Sequence, residues 1–229
     1  MNPLNAIRRH PAAVVWSAAL GCVALALAMP QSRDLLLRIM AGCPIVAASP
    51  EAVEDARVQH GGRLAGTDAT DDVSLFGFTL GATRQADVMA WAASSGAECK
   101  EKPGFLRCSL SQDPFDNSAQ PSTLTFRFEP TAQRLTHIGR RHYAVAFTEA
   151  KRIFAARQAT FRSRFDSHAQ EHGSLFESGE DRPYGNQALR AHFQNVLFDL
   201  NAVSIPGRGV VLRERAVLTE HLEPDATSG

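Results

Sequence analysis

Two cysteines bracket a Pro-Gly pair in the stretch ECKEKPGFLRC, residues 98–108. This is the most constraining feature of the chain. Pro-Gly is a strong turn signal, because proline presets φ at one position and glycine accepts positive φ at the next. If Pro103 and Gly104 form the turn, Lys102 faces Phe105, Glu101 faces Leu106, Lys100 faces Arg107 and Cys99 faces Cys108. Counting outward from the turn, the cysteines form a non-hydrogen-bonded cross-strand pair, where Cα atoms approach most closely and a disulfide fits. A bridge closing so short a loop contributes roughly 2–3 kcal/mol. Lys100 opposite Arg107 counts against this register, because like charges in direct opposition destabilise a sheet. A longer loop would relieve that pair. Two separate buried thiols are the alternative.

Elements of regular structure extend on both sides of the hairpin. Thr83 is a candidate N-cap for a helix carrying Val88, Met89, Ala92 and Ala93. Asp87 adds negative charge in its first turn, and Gly96 ends it. Leu124, Phe126 and Phe128 alternate with Thr125 and Arg127, as in a strand with one buried face. Residues 129–133 turn that strand, and 134–142 return as its partner. Thr148 is a candidate cap for a helix over 149–168, with Ala150, Ile153, Phe154, Phe161 and Phe165 on one stripe and Arg157 at its edge, its charge reaching water. Three further strands follow, with a bulge or turn at Gln194-Asn195 and a loop over 205–209. The polar tail from Glu220 is expected to be disordered. Upstream, Ser49-Pro50-Glu51 starts a helix that Gly61-Gly62 should stop, and residues 63–72 read as a polar lead-in.

The first thirty residues differ from the rest. Arg8, Arg9 and His10 precede an uncharged run over 11–30, long enough to span a bilayer. Positive charge before the run predicts a cytoplasmic N-terminus and an exported remainder. An uncleaved signal anchor competes here with a signal peptide cleaved after Ala26 or Ala28. An intracellular buried helix is a third reading. Export suits a Cys99–Cys108 bridge, since disulfides persist outside the cytosol. Cys22 then lies in the membrane segment, and Cys43 is left over.

Formal charge balances at zero, so no global field attracts nucleic acid. Between residues 134 and 164 the balance tilts. Arg140, Arg141, Lys151, Arg152, Arg162 and Arg164, with Arg134 and Arg157, face only Glu149. That stretch suits an anionic partner such as lipid headgroups, cell-wall polymer or an acidic protein; internal pairing with nearby acids is the other reading. His168-Ala169-Gln170-Glu171-His172 matches the H-x-x-E-H pattern of zinc hydrolases, in which two histidines one helical turn apart share a metal and the glutamate acts as base. Gly173 follows at once, which places the pair at a helix end, and no third ligand is fixed by spacing. No cofactor and no catalytic residue is assigned.

The order reads as helix and four strands, then helix and three strands. The helix start at Gly81 and Thr83, with Val88 following, and the hairpin Leu124, Phe126, Phe128, Leu135 and Ile138 resemble the repeat of small exported helix-and-sheet proteins. These are the outer-membrane-assembly small lipoproteins and the β-lactamase-inhibitor-protein type. The resemblance spans residues 77–138 and implies a non-catalytic module that holds another protein. The expectation is therefore α+β: an N-terminal transmembrane helix, then an antiparallel sheet with helices packed on one face. The divisions are an anchor or signal segment at 1–30, a connecting segment at 31–73, a soluble domain at 74–220 and a tail at 221–229. The protein is expected in the inner membrane, crossing it once through residues 11–30. Its C-terminal domain would lie in the periplasm beside another envelope protein.

Overall fold

The computed structural model describes residues 49–115, 119–177 and 183–222. The membrane segment expected at 11–30, together with Cys22 and Cys43, lies outside these residues, as does most of the expected tail. Among the described residues no helix is long and apolar enough to cross a membrane.

The fold is α+β. Helix α1 spans Pro50–Leu64, followed by the short strands β1 (Ser74–Leu75) and β2 (Phe78–Thr79). Helix α2 (Gln85–Ser95) leads into β3 (Glu98–Lys102), β4 (Phe105–Leu110), β5 (Ser122–Phe128) and β6 (Leu135–Val145). Helix α3 (Phe147–Phe165) leads into β7 (Gln170–Gly173), β8 (Asn186–His192), β9 (Val196–Ile205) and β10 (Gly209–Leu218). Strands β3 to β10 form one antiparallel sheet in the order β3-β4-β5-β6-β10-β9-β8-β7. Each half is thus a helix followed by four strands, and the two halves meet where β6 pairs with β10. The second half holds one strand more than the sequence suggests, because β7 occupies residues expected to continue a helix.

The cysteine hairpin has the register expected from its turn. Cys99 pairs with Cys108, Lys100 with Arg107, Glu101 with Leu106 and Lys102 with Phe105. Gly104 takes φ 76°, and the cysteines are joined in a disulfide with Cα atoms 3.9 Å apart. The Lys100–Arg107 opposition is retained rather than relieved by a longer loop.

Alternate residues of each strand face α2 and α3. Phe126, Leu124, Leu135, Ile138, Phe198, Leu200 and Leu212 are fully buried there, against Val88 of α2 and Ile153, Phe154, Phe161 and Phe165 of α3. Each such side chain contributes roughly 1.5–3 kcal/mol by leaving water. Phe78 meets Trp91 and Phe126 edge-to-face in the first half; in the second, Phe161 meets Phe165 edge-to-face and Phe165 meets Phe198 at a tilt.

Several element ends differ from expectation. Thr83 does not cap α2. Its Oγ1 accepts a bond from Thr79 N at 2.9 Å, and Arg84 is the N-cap residue, its own N–H held by Asp87 Oδ2 at 2.8 Å. Gly96 closes the helix in the left-handed conformation, as expected. Helix α3 starts at Phe147 rather than after Thr148, because the Phe147 ring packs against Phe176 and fixes the entry without a polar cap. It ends at Phe165, since Asp166 turns away with φ 36° and ψ −113°. Helix α1 runs through Gly61 and Gly62 to Leu64. A Cβ at Gly61 would lie 3.0 Å from Thr219 Cα, so this glycine permits close packing on the end of β10. The polar lead-in is bonded to the β8–β9 turn through Thr70 N to Asn195 Oδ1 (3.1 Å) and Gln194 N to Asp68 O (2.7 Å).

Candidate functional site

Strand periodicity divides the sheet's charged residues between two faces. On the helix-covered face, Glu214 of β10 lies opposite Arg140 of β6. Arg140 Nη2 donates to Glu214 Oε2 at 2.6 Å, and its Nη1 donates to Asp113 Oδ1 at 3.1 Å. His142 Nε2 lies 3.0 Å from Asp113 Oδ2 and 2.6 Å from Arg157 Nη2 of α3. Asp113 is 2 % exposed, Arg140 3 %, His142 0 % and Arg157 6 %. Buried charges persist only when paired and hydrogen-bonded. Burial would raise the Asp113 carboxyl, but the His142 hydrogen bond and the Arg140 charge more than offset it and hold it well below the usual carboxylate range. Arg157 therefore belongs to a buried network, and its expected reach to water is wrong. Sequence periodicity places it on the core stripe but does not reveal the Asp113 and Glu214 charges that hold it there.

A groove of about 580 Å³ opens beside this network, between α3 and the β1–β2 turn. Phe76 and Phe115 form one wall, with ring centroids 5.1 Å apart. The Arg140 guanidinium carbon lies 4.4 Å from the Phe76 ring centroid.

The expected basic surface does not exist as one patch. Arg140 is buried on the helix side of the sheet, while Arg141, next in sequence, faces the other way and bonds Tyr143 Oη at 2.8 Å. Arg152 pairs with Glu149 at 2.7 Å, Arg162 with Glu171, and Arg164 with Asp72 at 2.6 Å. Lys151 is exposed at the start of α3.

The H-x-x-E-H residues are also dispersed. His168 lies in a 3-10 turn with Nε2 3.3 Å from Asp68 Oδ2, and its neighbours Glu171 and His172 lie on strand β7. Consecutive strand residues point to opposite faces, so Glu171 turns toward α3, where Gln158 reaches it at 3.2 Å, and His172 turns away. The helical one-turn spacing that the zinc pattern requires is absent. Among the described residues no three His, Cys, Asp or Glu side chains cluster as a metal site would need.

The face turned away from α2 and α3 carries a cationic array that sequence reasoning missed. Cross-strand register aligns Lys100, Arg107, Thr125, Gly139, Arg215, Asp199 and Arg190 in one row. The row beside it holds Thr123, Arg141, Arg213 and Asn201, and the row on its other side holds Lys102, Phe105, Arg127 and His137. Strands β3 to β10 thus place eight lysines and arginines on this face against two acids, Glu98 and Asp199, although the chain as a whole is neutral. Arg213 lies directly opposite Arg141, and Lys100 directly opposite Arg107.

The titratable groups respond to this field. Burial and the neighbouring Arg215 and Arg141 charges push Arg213 down to about 10. Burial and the Arg127, Arg215 and Arg213 charges hold the His137 imidazole far below its ordinary value. Asp199 is held at about 2 despite burial, through its hydrogen bonds with His192 at 3.2 Å and Arg215 at 2.7 Å. Arg190 Nε lies 3.7 Å from the same carboxylate. Helix α1 packs against β9 and β10.

No protein-family model, curated protein or solved structure matches this chain.

Proposed function

We propose that this chain is a non-catalytic binding module that holds another protein against the open face of its eight-stranded sheet. In this reading residues 11–30 anchor it in the inner membrane, and the α+β domain faces the periplasm. The carrying observation is the asymmetry of the sheet: one face is packed under α2 and α3, and the other, apart from the end where Val217 and Leu197 are buried, presents rows of arginine, lysine, threonine and asparagine. The helix-then-four-strands order of both halves and the Cys99–Cys108 bridge support it, since they suit the exported helix-and-sheet proteins that residues 77–138 resemble.

Site-specific photocrosslinking tests the reading. A photoreactive residue at Thr125 or Asn201 of the full chain, in its own membranes, should give one discrete adduct with a second protein. The same group at Ala155 or Ala159, exposed on α3, should give none. Adducts from α3 positions alone, or from no position, would overturn it.

A further inference from the structure

We infer that the partner presents an acidic protein segment, and that Arg141, Arg213 and Arg107 are the groups that receive its carboxylates. This rests on the open-face reading above and adds the chemistry of the occupant.

Pairing of β6 with β10 sets Glu214 opposite Arg140 on the covered face and Arg213 opposite Arg141 on the open one. The first is a complementary pair that folding retains. The second is a like-charge opposition, which weakens a sheet. A second opposition, Lys100 with Arg107, lies on the same face. Relief from within is available and is used only in part. Asp199 serves Arg215, Arg190 and His192. Among the described residues no carboxylate lies within ion-pair distance of Arg107, Arg141 or Arg213. The free protein therefore carries a concentrated positive field that a docked anion would discharge.

The occupant follows from what surrounds these cations. Guanidinium forks match carboxylates with paired N–H bonds. Arg213 and Arg215 stand two residues apart on one strand, the repeat at which an extended peptide presents successive side chains on one side. Thr123, Thr125 and Asn201, set between the arginines, suit a polypeptide backbone. A single-stranded nucleic acid would need open aromatic platforms. Here the Phe105 ring is stacked by Arg127, and Tyr143, whose hydroxyl Arg141 bonds, is a single exposed ring rather than a series on which successive bases could stack. A neutral chain of pI about 7.1 also lacks the overall charge of a nucleic-acid binder.

The test uses the detergent-solubilised full chain and three probes: a poly-L-glutamate of about twenty residues, an oligothymidylate of equal length, and anionic phosphatidylglycerol vesicles. Poly-L-glutamate should bind most tightly and weaken steeply as salt rises, since screening acts on exposed charges. Arg213→Gln and Arg141→Gln should each weaken it about tenfold, as loss of a charge-assisted contact does. The same variants should melt at or above the parent temperature, because each removes a repulsion. Arg162→Gln, on α3, should leave poly-L-glutamate binding unchanged. Equal or tighter binding of the oligothymidylate or the vesicles would overturn the inference, as would undiminished poly-L-glutamate binding by the Arg141→Gln, Arg213→Gln double variant. Crosslinks at Thr125 without poly-L-glutamate binding would sink the acidic identity and leave the docking face standing. Binding without crosslinks would sink the protein-docking reading and leave only an anion-binding arginine array.

Discussion

Replacing Asp113 by asparagine removes one negative charge from a site that water does not reach. Shape is nearly conserved, so no cavity forms and the effect is electrostatic. Asp113 faces Arg140 at 3.1 Å, His142 at 3.0 Å and Arg157 at 3.9 Å. After the change, Glu214 remains beside both arginines, at 2.6 Å and 4.0 Å. Breaking a buried ion pair by removing one partner costs about 3–5 kcal/mol, because the remaining charge stays buried. For a domain of this size each kcal/mol moves the melting temperature by roughly 2–4 °C. The Asp113→Asn variant should therefore melt roughly 6–20 °C below the parent in a thermal scan followed by circular dichroism. The contribution has a defined pH sign. The folded carboxyl is held below its unfolded value, so its stabilisation is full above the ordinary carboxyl range near pH 4 and fades as pH falls below it. The gap between parent and variant should shrink on acidification. Arg162→Gln, which removes an exposed pair with Glu171, sets the scale for comparison at about 1 kcal/mol or less. A cost for Asp113→Asn no larger than that, or a gap that widens toward low pH, would refute the view that this network is a charge-paired buried cluster.

Two further outcomes test the frame. Changing Cys99 and Cys108 together to serine reopens a loop of sequence separation 9 and should cost about 2–3 kcal/mol, read as a fall of roughly 4–12 °C in melting temperature. Equal stability of the double variant and the oxidised parent would show that the bridge does not constrain the unfolded chain. His137 should give the protein an acid sensitivity that starts at higher pH than that of Asp113. Its folded value is about 3 against 6.5 for the free imidazole, so stability is full above pH 6.5 and falls as the unfolded state takes up the proton. His137→Gln should flatten the stability profile between about pH 6.5 and pH 4, measured by denaturant titration; an unchanged slope would show that the ring is already solvated.

Strand parity explains which features the sequence made legible. The disulfide register could be counted outward from Pro103-Gly104, because a two-residue turn leaves the pairing no freedom. The apolar rows were equally readable, since alternation in Leu124, Phe126 and Phe128 has only one buried solution. Helix ends were less so: a side chain that can cap, such as Thr83 or Thr148, competes with packing that sets where a helix begins, and at α3 the Phe147 contact prevailed. Residues 166–173 misled for a related reason. Spacing of i and i+4 has meaning only on a helix, and the turn at Asp166 converts the same letters into a strand with alternating faces. The charges show the limit most clearly. Read along the chain, Arg140 and Arg141 are one basic pair and Arg213, Glu214 and Arg215 a mixed run. Folding sorts them by parity: 140 and 214 go under the helices, while 141, 213 and 215 go to the open face. A linear window reads Arg140 and Arg141 as one basic stretch and Arg213 to Arg215 as a mixed one, and assigns neither to a face. Only the cross-strand register, which joins residues some seventy positions apart, separates a neutralised interior from a cationic exterior.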